Sequence, residues 1–290
     1  MIKLNVGASP IWKKDGWHTL DHKFRENTST SLVGDASKIP LKDNSCSTVF
    51  TSHMFEHIPH VRLENILIEF NRVLNKDGII RILTPDLKKV AKAYANDDLD
   101  FFKLAKEEDE NIRTDLGTGG MFMNFIVSPG QDTALFNRNL DEFIAGYAHL
   151  YCYDFLMLKT LLERTGFNEI KQMEFCKSAL IDYTEPLHVT GLDSEWKNFN
   201  QEFYKKNNLT HYYDAKEGKY NIDFTVTGFD RDPITSLIIE AKKDKHIDKS
   251  SYVSLNESKS NYNRYAWSLM KDDDFVKRHD AIIELSKNQK

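Results

Sequence analysis

Ile2-Lys3-Leu4-Asn5-Val6-Gly7 is a short apolar strand that runs into a glycine, and four more strand-like runs follow it within the first ninety residues. Trp17-His18-Thr19-Leu20-Asp21 ends on a carboxylate, residues 30–35 end at Asp35 ahead of Ala36, residues 47–53 end at Ser52-His53, and the last runs from Gly78 to Pro85. Small or polar residues therefore recur at the C-terminal ends of successive strands. Between the fourth and fifth lies the clearest helix. Val61, Leu63, Ile66, Leu67, Phe70, Val73 and Leu74 repeat at spacings of three and four, with Arg62, Glu64 and Glu69 between them. Asp77-Gly78 is predicted to end it. Strand, helix, strand in that order implies a right-handed parallel crossover. In an open α/β sheet, nucleotide-like ligands bind outside the carboxyl ends of the strands.

Composition sets the outer limits. The chain has 290 residues, 40% of them hydrophobic, with a mean hydropathy of −0.53, enough apolar material for a core. No apolar run approaches the roughly 20 residues needed to span a bilayer, and the N-terminus enters a strand with no signal-peptide pattern. A cytoplasmic protein with no membrane partner is expected. The net charge of −5 argues against a nucleic-acid partner, which requires a basic face. Cys46, Cys152 and Cys176 are odd in number, far apart and in no CxxC arrangement, so buried reduced thiols are expected.

Beyond residue 86 the pattern is helical and increasingly acidic to about 110, a solvated face. Residues 114–138, with Gly117, Gly119, Gly120, Pro129 and Gly130, read as irregular, and a loop of that length inside a domain is often a lid. A helix over about 153–165 buries Phe155, Leu158, Leu161 and Leu162 and stops at Gly166. Strands are expected over 168–175 and 234–242. The aromatic stretch 176–233 between them reads as an insertion that packs over something. From residue 244 the chain is polar and lysine-rich, then partly helical, an appended tail and an expected surface for self-association.

Each motif has a plain reading beside its functional one. Leu4-Asn5-Val6-Gly7-Ala8-Ser9 is a strand and a small-residue turn. Gly7 can take positive φ and lets a ligand approach the backbone, but a glycine after a strand is usually only a turn. Asp21 at the next strand end can accept both hydroxyls of a ribose, or be an ordinary turn aspartate. Asp35 can accept from an adenine amino group, with Ala36 leaving room for the ring; Asp43-Asn44-Ser45 beyond it is turn chemistry.

Taken in order, these motifs resemble the class I S-adenosylmethionine-dependent methyltransferases of the type 11 sort. The carrying residues are Leu4-Asn5-Val6-Gly7, Gly16-Trp17-His18-Thr19-Leu20-Asp21, Gly34-Asp35-Ala36, Ile39-Pro40-Leu41, Ser52-His53-Met54-Phe55-Glu56-His57-Ile58, Arg72-Val73-Leu74-Asn75-Lys76-Asp77-Gly78 and Thr84-Pro85-Asp86-Leu87. His149, Tyr153, Leu161-Leu162 with Gly166-Phe167, and Leu237 to Lys242 continue the likeness. Within that family the pattern is similar to a subgroup associated with surface polysaccharides. The resemblance implies a Rossmann-like α/β fold: a mostly parallel seven-stranded sheet, helices on both faces and an antiparallel last strand. The implied methyltransferase domain spans 1–243, with a lid at about 111–140 and an insertion at about 176–233, leaving 244–290 as the tail. It also implies S-adenosyl-L-methionine as cofactor, with Asn5, Gly7, Ala8 and Ser9 facing its methionine part, Asp21 its ribose, Asp35 and Ala36 its adenine, and Ser52 and His53 lining the floor. The family commonly has an acid where this chain has Asn5, and a second glycine where it has Ser9.

The implied reaction is methyl transfer to a small polar acceptor, such as a sugar hydroxyl. A hydroxyl acceptor is helped by a general base, and His53 and His149 are the catalytic candidates, each also readable as a packed histidine. Tyr151, Tyr153 and Asp154 follow His149 and could orient it; His188 ranks behind both. Two other classes compete. One is a non-catalytic protein on the same fold, favoured by Asn5 and Ser9. The other is a zinc peptidase, because His53 to His57 spells HxxEH; on a helix both histidines would ligate zinc with Glu56 as base. His53 falls at a strand end and the sequence marks no third ligand, so no metal is expected. A nicotinamide dehydrogenase ranks lower still, since the first turn lacks the full GxGxxG.

Overall fold

The structure is a computed structural model that describes residues 1–8, 14–22, 31–98, 101–102, 117–126, 149–174, 177–184, 213–214, 219–220 and 235–254. Seven strands form one sheet: β1 (Ile2–Val6), β2 (Trp17–Asp21), β3 (Ser31–Val33), β4 (Cys46–Ser52), β5 (Leu74–Pro85), β6 (Phe167–Gln172) and β9 (Ser236–Lys243). Their spatial order is β3-β2-β1-β4-β5-β9-β6. The first five are mutually parallel, and β9 runs antiparallel to both β5 and β6. This is the expected Rossmann-like α/β sheet with an antiparallel last strand. A separate two-stranded ribbon joins β7 (Tyr213–Asp214) to β8 (Lys219–Tyr220), inside the stretch read as an insertion.

The central strands are buried along both faces, as parallel strands covered on both sides must be. Register puts Thr19, Asn5, Phe50, Arg81 and Glu240 in one row across β2, β1, β4, β5 and β9. Residues 177–184 cover that face. Tyr183 is buried beside Trp17 and Phe50, with ring centroids 6.3 and 6.1 Å away, and its hydroxyl meets Thr48 Oγ1. The Arg81 guanidinium lies 5.3 Å over the Tyr183 ring and pairs with Glu240, so a buried charge is matched where it enters the core. Lys3 Nζ reaches Asp182 Oδ1 at 2.6 Å from the same side.

Helix α1 (His60–Val73) connects β4 to β5 and buries Leu63, Ile66, Leu67, Phe70 and Val73. It ends earlier than its periodicity suggests: β5 starts at Leu74, and Asp77 takes a φ of +65° in an excursion between Cys46↔Leu74 and Thr48↔Ile79. Asp86 caps α2 (Leu87–Ala95) by accepting from Lys88 N and Lys89 N. Asp154 caps α4 (Phe155–Arg164) through Met157 N. That helix ends as expected at Gly166, whose φ is +86°. The irregular reading of 114–138 is corrected over Gly117–Ile126, which is helix α3. Its glycines are weak helix formers, but Met121 and Phe125 pack into one apolar cluster with Val90, Ala93 and Phe102, and Phe122 stacks on Tyr94. Tertiary burial outweighs a per-residue glycine penalty of about 1 kcal/mol. The rest of the expected lid at 111–140 lies outside the described residues.

The chain divides into two units, Met1–Ile247 and Asp248–Lys290. In the second, Asp248 accepts from Ser250 N and Oγ at 2.9 and 2.8 Å. The remainder of the tail, from 255, is outside the described residues. Among those residues no helix is long and apolar enough to cross a membrane.

Candidate active site

Four adjacent strand ends carry the residues singled out above. Gly7 follows β1 with a φ of +73° and donates its N–H to Leu20 O at 3.0 Å, which locks the β1 turn to β2. Ala8 is buried beside it, Asn5 is buried within β1, and Ser9 is outside the described residues. Asp21 closes β2, its Oδ1 accepting from His22 N at 2.7 Å and lying 2.9 Å from His22 Nδ1. After β3, Asp35 Oδ1 accepts from Ser37 N and Oγ at 2.8 and 2.6 Å, while Oδ2 takes Arg62 Nη2 at 2.9 Å. Burial raises the Asp35 carboxyl somewhat, but Ser37 and Arg62 outweigh that and hold it below the usual range. Ala36 is half-buried in the same turn.

Ser52 ends β4, and His53 follows at a φ of +47°, its N–H bonded to Leu83 O at 2.9 Å. That turn is where sequence and structure part company. His53, Glu56, His57 and His149 converge. Glu56 sits in a short 3-10 turn, Phe55–His57, and is fully buried. Its Oε2 accepts from Thr84 Oγ1 at 3.2 Å. Its Oε1 receives no hydrogen bond of normal geometry, although His53 Nδ1 stands 3.0 Å away and His57 Nε2 4.0 Å. Burial alone would push this carboxyl up; the imidazoles of His53, His57 and His149 outweigh it and bring it to about 2. The backbone carbonyl of Glu56 accepts from Leu150 N at 2.6 Å and Tyr151 N at 3.3 Å, tying the 149–151 segment onto the turn. The His149 ring meets that of His57 edge-on at 4.9 Å.

His149 Nδ1 lies 2.8 Å from Phe125 O. A carbonyl only accepts, so Nδ1 carries the proton and Nε2 the lone pair. Burial takes this imidazole down to about 4. Thus α3, expected to be a loop, supplies the carbonyl that orients a predicted catalytic residue. The neighbours of His149 have other tasks. Tyr151 stacks on His60 at 4.4 Å, Tyr153 is buried with its hydroxyl 3.3 Å from His60 Nδ1, and Asp154 caps α4. His188 lies outside the described residues.

The HxxEH peptidase geometry does not form. His53 is at a strand end with left-handed backbone, and its Nε2 is 2.9 Å from Ser236 Oγ. Glu56, His53 and Ser236 stand in the order carboxylate, imidazole, hydroxyl, as in a hydrolytic triad. Ser236 is only 2% exposed, so the hydroxyl clamps the ring and cannot meet a substrate. The sequence reading missed Glu56 as the hub; the i, i+3 spacing from His53 was its one signal. Met54 was missed as well. Its side chain lies across Gly7, and nothing in the sequence places it there.

Residues 10–82 match the family described as a methyltransferase domain. No curated protein matches the chain. Among solved structures, a SAM-dependent methyltransferase from Archaeoglobus fulgidus is similar at 17% identity, over 83% of this chain and 85% of that one, with a TM-score of 0.37. An S-adenosylmethionine-dependent methyltransferase from Mesorhizobium loti is similar at 12% identity, over 83% and 90%, with a TM-score of 0.39.

Proposed function

We propose that this chain is an S-adenosylmethionine-dependent methyltransferase acting on a small polar acceptor through a hydroxyl, as on a sugar or related metabolite. The observation that carries the reading is the ordered placement of Gly7, Asp21, Asp35-Ala36 and Ser52-His53 at the carboxyl ends of β1 to β4, beside the methyltransferase-domain match over 10–82. When bound, S-adenosylmethionine supplies a methyl group on a sulfonium centre that an acceptor atom can displace in line.

The residues fit such a cofactor. The Met54 side chain fills the space a Cβ of Gly7 would take, and the left-handed φ of Gly7 shapes the turn against which a methionine moiety would lie. Asp21 offers a carboxylate to the ribose hydroxyls. Asp35 accepts two hydrogen bonds from Ser37 in its own turn and one from Arg62 of α1, and a carboxylate has about four lone-pair sites, so one remains for an adenine amino group. Ser52 and His53 line the floor. Asn5 is uncharged, so toward the cofactor's ammonium it offers a carboxamide oxygen in place of a carboxylate.

The protein's own contribution is orientation and a base. His53 and His149 are the two candidates. The His53 side chain is 29% exposed, but its Nδ1 faces Glu56 and its Nε2 faces Ser236, so it takes a proton from an acceptor only by giving up the Ser236 contact. His149 has Nδ1 committed to Phe125 O and keeps the Nε2 lone pair for that role. A sugar-like acceptor draws support from the resemblance to the polysaccharide-associated subgroup. A nucleic-acid acceptor is disfavoured by the net charge of −5.

Calorimetric titration with S-adenosylmethionine and S-adenosylhomocysteine, followed by an acceptor screen that reads release of S-adenosylhomocysteine, tests the reading. Micromolar binding is expected. A folded protein that binds neither compound would overturn it in favour of a non-catalytic member of the fold.

A further inference from the structure

Glu56 is a fully buried carboxylate whose near charge partners, among the described residues, are imidazoles. A buried carboxylate is costly unless paired with a cation or bound to a metal. Its Oε1 faces the histidines, 3.0 Å from His53 Nδ1 and 4.0 Å from His57 Nε2. One ligand atom from each of Glu56, His57 and His149 lies within 4.8 Å of the other two.

We propose that Glu56, His57 and His149 form a binding site for a divalent transition-metal ion of the zinc class. Two imidazoles and one carboxylate are ligands that zinc accepts, and three protein ligands leave a fourth position for water or an acceptor oxygen. The supporting shell is in place. Phe125 O holds His149 Nδ1–H, which directs the Nε2 lone pair away from that carbonyl, and Thr84 Oγ1 holds Glu56 Oε2. Both ligand segments are joined through the backbone carbonyl of Glu56, bonded to Leu150 N and Tyr151 N. The site differs in kind from the HxxEH peptidase arrangement, in which the two histidines of the motif ligate and the glutamate acts as base. Here Ser236 clamps His53, the glutamate becomes a ligand, and the second imidazole comes from a distant part of the chain. The His57 side chain is 21% exposed, while that of Glu56 is fully buried.

The inference does not depend on methyl transfer, since metal uptake is measured without cofactor or acceptor. Untagged full-length protein, stripped with chelator, should take up one equivalent of Co2+, with the visible d–d absorption of a protein-ligated ion, and Zn2+ should displace it. His57→Asn should weaken uptake by more than about 100-fold, since loss of an outer-shell partner alone costs about 10–100-fold. His246→Asn, at an exposed histidine, should leave it unchanged. X-ray absorption on the zinc form should count two imidazoles and one carboxylate, which tests His149 and Glu56 without variants that could fail to fold. No uptake by the wild-type protein, uptake unchanged in His57→Asn, or a shell without imidazole would each overturn the site. Loss of S-adenosylmethionine binding with metal uptake intact would count only against the methyltransferase reading.

Discussion

Met54 lies across Gly7: a Cβ at position 7 would stand 2.7 Å from the methionine sulfur. The turn after β4 is thereby packed onto the turn after β1, beside the proposed cofactor site. Met54 is also the flexible element of the pair, able to swing while the glycine backbone stays fixed.

Gly7→Ala is expected to destabilise the protein by roughly 1–2 kcal/mol through its left-handed φ, and to abolish S-adenosylhomocysteine binding. The double variant Gly7→Ala/Met54→Ala removes the contacts with the Met54 sulfur and Cγ but keeps the backbone strain. It should recover only part of the stability, as read by thermal unfolding. Full recovery would mean that sterics with Met54, and not φ, govern position 7.

Asp21→Ala should lower affinity for S-adenosylhomocysteine by about 10–100-fold, the worth of charged hydrogen bonds to two hydroxyls, while the melting temperature stays within a few degrees. Its carboxylate bonds adjacent His22. An unchanged dissociation constant in calorimetry would remove Asp21 from the ribose site.

Glu240→Gln leaves the Arg81 guanidinium, only 4% exposed, without its carboxylate partner. The expected loss is about 3 kcal/mol, measured as a shift in the urea midpoint at constant m-value. A change below about 1 kcal/mol would show that the carbonyls of Glu174 and Lys177 and the Tyr183 ring hold Arg81 without Glu240.

Burial pushes the Cys152 thiol up to about 12, with Glu56 and Asp86 adding to the shift, and burial also raises Cys46. At pH 8 the reactive thiolate of Cys152 is then on the order of one molecule in ten thousand. Peptide mapping after alkylation should find both cysteines unlabelled in the native protein and labelled after unfolding. Rapid native labelling of Cys152 would show that the segment carrying it opens.

Much of the sheet was legible because its signals are local. A parallel strand buried on both faces is a short apolar run closed by a glycine or a polar residue, and β1, β2 and β4 sit within a residue of where those runs place them. The i, i+3, i+4 stripe of α1 and the glycine stop of α4 were legible for the same reason. Helix α3 was not. Its glycines argue for a loop, and only the apolar cluster with α2 reverses that preference.

The candidate site divides along the same line. The chain order of its residues established which strand ends carry Gly7, Asp21, Asp35 and His53, because strand ends are set by neighbours in sequence. The meeting of Glu56 and His57 with His149, the Phe125 carbonyl that orients His149, and the thioether over Gly7 came from folding alone. Each joins segments on different elements, and a buried carboxylate draws its partners from whatever those elements bring within a few ångströms, which no local pattern records.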